Sequence, residues 1–263
     1  MQLIEQEATQ DSLNVTLITP QGSAEIDARF ADPLIIQLRA DWRTCQDLTR
    51  AETKLTLQVK AICRRFCDGE IKEADKLYKS MQNGMQHPYA EDCLIRCSAL
   101  LKARQPLQTE KKYFEKQLET AAKRLPVTAF VESVKGFGYK GLAQIVAECG
   151  NFAEYEKGLD GIMKRAGLAL VDGERQRKST NVEKALAMGY SPQRRSVFYN
   201  IGDALLKSQG KEENAGPYRK IYDLRKAYER PNVDSDGHAH NRAMRYMTKR
   251  LIRDLHKHWL EVA

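Results

Sequence analysis

From Val134 to Gly150 the chain reads VKGFGYKGLAQIVAECG. Gly136-Phe137-Gly138 is followed by Lys140-Gly141-Leu142 and then by a helical pattern to Glu148, the order of a helix-hairpin-helix. Two glycines allow a tight turn and leave backbone amides uncovered. A helix that begins at such a turn offers its N-terminal N–H groups and the positive end of its dipole to an anion. Lys140 adds a full charge beside them. A nucleic-acid phosphate fits that arrangement without any base being read. Gly136, Gly138, Lys140 and Gly141 are therefore candidate contacts. The same spacing also suits a plain glycine-rich turn between two packed helices.

Outward from this stretch, toward the C-terminus, the segment GIMKRAGLALVDGERQRKSTNVEKALAMGYSPQRRSVFYNIGDALL alternates short helical pieces with basic, turn-like loops. Arg175, Arg177, Lys178, Arg194 and Arg195 gather there. The planar fork of arginine binds two phosphate oxygens at once. A last helix is predicted over Asn241–Leu260. At about 100° per residue, Ala243, Met244, Met247, Leu251, Leu255 and Trp259 share one half of its circumference. Arg242, Arg245, Lys249, Arg250, Arg253 and Lys257 fall in the other half. One face packs and the other is a positive stripe in which Asp254 is the one acid. Arg242, Arg245, Lys249 and Arg253 join the candidate nucleic-acid contacts.

Toward the N-terminus the pattern is mostly helical. Leu34, Leu38, Leu48, Leu55, Val59, Ile62 and Phe66 recur at helical spacings, and a turn at Asp68-Gly69 leads to a shorter helix through Leu77. Two further helices are predicted over Ala90–Ala103 and Leu107–Leu125, the second ended by Pro126, which has no amide to donate. Together they read as antiparallel hairpins, with a coiled-coil arm as one form. Leu13–Phe30 alternates apolar and polar residues about Pro20-Gln21-Gly22-Ser23, a short β-hairpin. The pairs Cys63-x3-Cys67 and Cys93-x3-Cys97 each lie on one helix face. Two such helices can present four thiolates to zinc, and paired motifs of this spacing also occur in oxidised helical hairpins. With no His or Asp arranged around them they read as core cysteines, small hydrophobes among others, and no metal is expected. His238, His240, His256 and His258 do not assemble a metal site by spacing either.

The +8 net charge is uneven along the chain. Residues 1–130 hold 19 basic and 18 acidic side chains, residues 131–263 hold 24 and 17. A basic half joined to a near-neutral one suggests a polyanion-binding module, although solubility alone can produce such an excess. The 30% charged and 42% hydrophobic residues are those of a globular chain. No apolar run is long enough to span a bilayer, and MQLIEQEATQ lacks the basic-then-apolar order of a signal peptide. A cytoplasmic protein with six reduced thiols and no membrane contact is the expectation. The fold expected is mainly α: a helical region with a short hairpin over residues 1–125, then a compact basic helical domain over 126–263.

The order of elements resembles the C-terminal domain of the Piv-type, bridge-RNA-guided insertion-sequence transposases. The stretches that carry the resemblance are KQLETAAKRLPVTAF, VKGFGYKGLAQIVAECGNFAEYEKGLDGIMKRAGLA, SPQRRSVFYNIGDAL, GPYRKIYDLRKAYER and GHAHNRAMRYMTKRLIRDL, which together span about residues 110–260. The resemblance implies DNA transposition or recombination, with DNA or a structured RNA as partner; apart from it, Leu48–Phe66 and Leu107–Leu125 are expected to pair either within a homo-oligomer or as an intrachain hairpin. Two departures matter. Full-length members carry a nuclease-like domain with four spaced carboxylates, whereas residues 1–110 here read as too short and too helical for it. The family also places a nucleophilic serine in a Gln-Ser-Gly-like loop. Here that loop reads Glu174-Arg175-Gln176-Arg177-Lys178-Ser179-Thr180, so Ser179 is the nearest candidate and Ser191 the next.

Asp172, Glu174 and Glu183 are too scattered to assign as holders of a metal. The function expected is DNA binding by a transposase-related protein, catalytically incomplete on its own and without a cofactor. The alternatives are a serine recombinase subunit that needs Mg²⁺ and a partner nuclease domain, and a helical protein-interaction module with a basic face.

Overall fold

The computed structural model describes residues 15–19, 22–84 and 86–262, with side-chain surroundings from Asp27 onward except those of Glu212. The segment Met1–Gln10, and with it the reading on a signal peptide, lies outside the described residues, as do Leu13 and Pro20-Gln21 of the expected hairpin. The fold is mainly α. Strands β1 (Val15–Thr19) and β2 (Gly22–Ile26) pair antiparallel, Val15 opposite Ile26. Then come α1 (Pro33–Phe66), α2 (Ile71–Gln82), α3 (Ala90–Ala122), α4 (Thr128–Ser133), α5 (Tyr139–Cys149) and α6 (Gly158–Arg165). A second hairpin, β3 (Leu170–Val171) with β4 (Glu174–Arg175), precedes α7 (Val182–Met188), α8 (Pro192–Ser208), α9 (Pro217–Glu229) and α10 (Asp236–Val262). No helix among the described residues is long and apolar enough to cross a membrane.

Two compact units emerge, and their boundary differs from the expected one. Asp41–Gln117 forms one; the described part of Met1–Ala40 goes with Leu118–Ala263 in the other. Within Asp41–Gln117, α1 and α3 run antiparallel. Gln108 and Lys111 both reach the Glu52 carboxylate, Arg104 donates to Thr56 Oγ1 and to Tyr78 OH, and Cys63 Sγ lies 3.7 Å from Cys93 Sγ. These ties bracket Pro106 and account for a correction: α3 is one helix through it, not two. An interior proline costs a helix about 3 kcal/mol, which anchoring on both sides offsets.

The core of this unit is Val59, Cys63, Ala74, Leu77, Ala90, Cys93 and Cys97. Burial pushes the Cys93 and Cys97 thiols up to about 11 and about 12. They are protonated core side chains at neutral pH.

In the other unit α10 is the spine, packing most closely on α9 and α8. Ala243, Met244, Met247, Leu251, Ile252, Leu255 and Trp259 are all buried. The Trp259 indole stacks on Phe152 and donates to Asn151 Oδ1 at 2.9 Å. Where α8 meets α10, Gly202 comes so close that a Cβ there would stand 2.6 Å from Thr248 Oγ1. A larger residue there has to push aside the Thr248 hydroxyl and the Met244 methyl, loosening the crossing.

Candidate nucleic-acid interface

The loop with the most basic sequence is built around a glutamine. Asp172 and Gly173 both take positive φ, 51° and 75°, the conformation that closes a two-residue hairpin. They set Leu170 opposite Arg175 and Val171 opposite Glu174. Gln176 follows and is buried, 5% exposed. Its Nε2 donates to the Lys164 and Met188 carbonyls, and its Oε1 accepts from Ala169 N. Extended backbone alternates its side chains, so with Gln176 turned inward, Arg175 and Arg177 are both left exposed.

The second contribution comes from the start of α8. Ser191 caps the helix, its Oγ accepting from Arg194 N, and Pro192 opens the first turn. Two adjacent arginines then part. Arg194 donates to the Arg165 carbonyl at 2.8 Å and pairs with Glu148 at 3.4 Å, its side chain only 15% exposed. Arg195 turns instead into a pocket of about 690 Å³ that it shares with Arg175, Arg177, Lys178, Tyr190 and Arg245. Arg245 enters from α10 and donates to the carbonyls of Leu168 and Ala169 at 2.7 and 2.9 Å.

The electrostatics of this pocket are one-signed at its floor. Among the described residues, no carboxylate lies within ion-pair distance of Arg175, Arg195 or Arg245. Glu174 lines the rim, but it pairs with Arg177 and Lys184. Burial, then Arg195 and Arg175, bring the Arg245 guanidinium down to about 10. Burial is also the main cause lowering Arg195. One turn on, burial and then Arg245 and Arg253 lower Lys249. Half-buried like charges without counterions destabilise a fold, and such groups cluster where a ligand supplies the missing sign.

The predicted stripe on α10 narrows accordingly. Arg242 reaches Glu229, Arg250 pairs with Asp254, and Lys257 pairs with Glu261 in a helix that runs past the predicted end. Arg245, Lys249 and Arg253, four residues apart, are the members that no acid pairs with among the described residues.

The glycine turn lies elsewhere. It joins α4 to α5, with Gly138 as the N-cap of α5 and Gly136 at φ 90°. A Cβ at Gly136 would meet Ser208 Cβ at 2.7 Å, and one at Gly141 would meet the Phe137 ring at 3.2 Å. Both glycines thus permit close packing. Gln209 Nε2 donates to the Lys135 carbonyl, tying this turn to the end of α8. Thirteen residues of helix, about 20 Å at the helical rise, separate Ser208 from Arg195. Gly136, Gly138, Lys140 and Gly141 therefore do not join the arginine pocket.

Ser179 lies in the segment that leads into α7. Its Oγ accepts from Asn181 N at 3.2 Å and helps to start α7. It makes no hydrogen bond to a carboxylate or imidazole among the described residues. His240 Nδ1 shares a hydrogen bond with Tyr222 OH at 2.7 Å, and His258 pairs with Glu261. No group of three or more His, Cys, Asp or Glu among the described residues is arranged to hold a metal ion.

Gln176 was missed by sequence reasoning, and an uncharged residue alternating with cations in ERQRK was its signal. The β3–β4 hairpin was missed too, although Asp172-Gly173 is a strong hairpin turn. Comparison of the chain with protein-family models, with curated proteins and with solved structures finds no match.

Proposed function

We propose that the protein binds nucleic acid through phosphate contacts at Arg175, Arg195 and Arg245, extended along α10 by Lys249 and Arg253. The observation that carries this reading is the half-buried pair Arg195 and Arg245, held side by side with no carboxylate within ion-pair distance among the described residues. A phosphodiester supplies a delocalised negative charge that two guanidinium forks can share. The resemblance in element order to insertion-sequence transposases makes DNA the first candidate and recombination the setting. The engagement of Ser179 Oγ with the Asn181 amide, just before α7, supports binding without strand cleavage by this chain alone.

The test titrates the full chain against fluorescent nucleic acid of mixed sequence, as a single strand and as a duplex, over a range of salt concentrations. Log affinity should fall steeply with log salt, as counterions are released from each neutralised phosphate. Absence of binding at low salt, or an affinity indifferent to salt, overturns the reading. A nicked supercoiled plasmid in Mg²⁺ that stays intact with Ser179→Ala would replace it with the recombinase reading.

A further inference from the structure

The arginines of the pocket differ in depth, and the depth selects the ligand. Arg175, Arg177 and Lys178 are exposed at the rim, whereas Arg195 and Arg245 are recessed. The phosphates of a duplex ride on a convex cylinder and meet rim cations readily. To reach both recessed guanidiniums, a phosphate has to enter a concavity of about 690 Å³. That volume suits a small ligand, in the usual range of about 300–1,000 Å³, and is too small for a duplex.

The wall of the same pocket is aromatic. Tyr190 lines it beside Arg195, and Tyr190 Cδ2 and Arg195 Cδ lie 3.9 and 3.8 Å from the same point above Gly167. Tyr199, one turn beyond Arg195 on α8, is 40% exposed and offers a second ring nearby. Cations beside the half-buried Tyr190 and the exposed Tyr199 offer what a single strand needs: charge for its backbone, and ring faces on which unpaired bases stack.

We infer that this pocket takes an unpaired nucleotide of a single-stranded nucleic acid, with its phosphate on Arg195 and Arg245 and its base against Tyr190. The inference rests on the nucleic-acid reading and narrows it to strands that can splay a base. DNA and RNA share the chemistry, so both are tested.

The experiment measures fluorescence anisotropy of the full chain with three probes of about twenty nucleotides, a length exceeding a usual single-strand site: oligo-dT, oligo-U and a mixed-sequence duplex. One or both single strands should bind about tenfold more tightly than the duplex. Tyr190→Leu should weaken single-strand binding about tenfold, the loss of one stacked base, while Tyr190→Trp restores it. A duplex bound as tightly as either strand sinks the inference and leaves the nucleic-acid reading standing. Failure of all three probes at low salt sinks both. The wild-type ranking of the probes decides the matter even if Tyr190→Leu does not fold.

Discussion

The two compact units carry the same excess charge and handle it in opposite ways. Asp41–Gln117 holds 15 basic and 11 acidic side chains; the remainder of the chain holds 28 and 24. In the first unit Lys60 pairs with Asp75, Lys76 with Glu73 and Lys111 with Glu52, while Arg64 and Arg65 are exposed. There the surplus meets water, where it costs little. In the second unit several cations are also paired, among them Arg194 with Glu148 and Arg242 with Glu229, but Arg195 and Arg245 are half-buried against each other with no acid within ion-pair distance among the described residues. A net charge of four therefore says nothing by itself. The informative quantity is how much like charge is kept out of water without a partner.

That contrast breaks most visibly if both recessed arginines are removed. Arg195→Ala with Arg245→Ala should weaken nucleic-acid binding by at least about a hundredfold, from two charge-assisted contacts of roughly 1.5–3 kcal/mol each. It should also flatten the salt slope by about two. Arg64→Ala with Arg65→Ala removes the same formal charge from the other unit and should change affinity less than about twofold. Equal losses from the two double variants would show that net charge, not the pocket, drives binding.

A middle-sized effect is expected at Gln176. Gln176→Leu leaves the Ala169 amide and the Lys164 and Met188 carbonyls without their partner. It should lower stability by about 2–3 kcal/mol in thermal or urea unfolding, and weaken binding because Arg175 loses its footing. Cys93→Ser, which puts a hydroxyl into the apolar core of Asp41–Gln117, should cost about 1–3 kcal/mol with no change in affinity measured below its melting range. If Gln176→Leu melts like wild type, the hairpin does not depend on it.

The smallest effect is one of pH. The folded value for Arg245, about 10, lies below that of an ordinary guanidinium. The charged form therefore opposes folding at neutral pH, and that opposition is relieved as pH rises above about 10. Affinity for an anion moves the other way. It should fall about twofold as pH reaches about 10, where half of the Arg245 charge is gone. Arg245→Ala should abolish that step in a binding titration carried out below the onset of alkaline unfolding.

Much of the fold was legible in the chain, and less of the site. Helical spacing placed α1 and α10, and the apolar face of α10 from Ala243 to Trp259 is the buried one. Pro106 misled because local preference marks a break that packing on α1 overrides. The loop arginines were all candidates by composition. Arg194 and Arg195 are neighbours in sequence, yet about 100° of helical rotation sends one to Glu148 and the other into the pocket. Arg175, Arg195 and Arg245 come from a hairpin, a helix start and a helix middle, and only the tertiary path brings them together. The glycine turn at Gly136 was legible as a turn, but its approach to Ser208 belongs to a contact far away in sequence.

The crossing at Gly202 and Thr248 has a kinetic consequence. Arg195 lies two turns before it on α8 and Arg245 one turn before it on α10, so the spacing of the two guanidiniums is set by a helix contact, not by loops. Binding an anion there needs no ordering of backbone, and pre-organisation of this kind lowers the entropic cost of association. Widening the crossing with Gly202→Ala should then shorten the lifetime of a nucleic-acid complex more than it slows encounter, because the rim cations that steer approach are untouched.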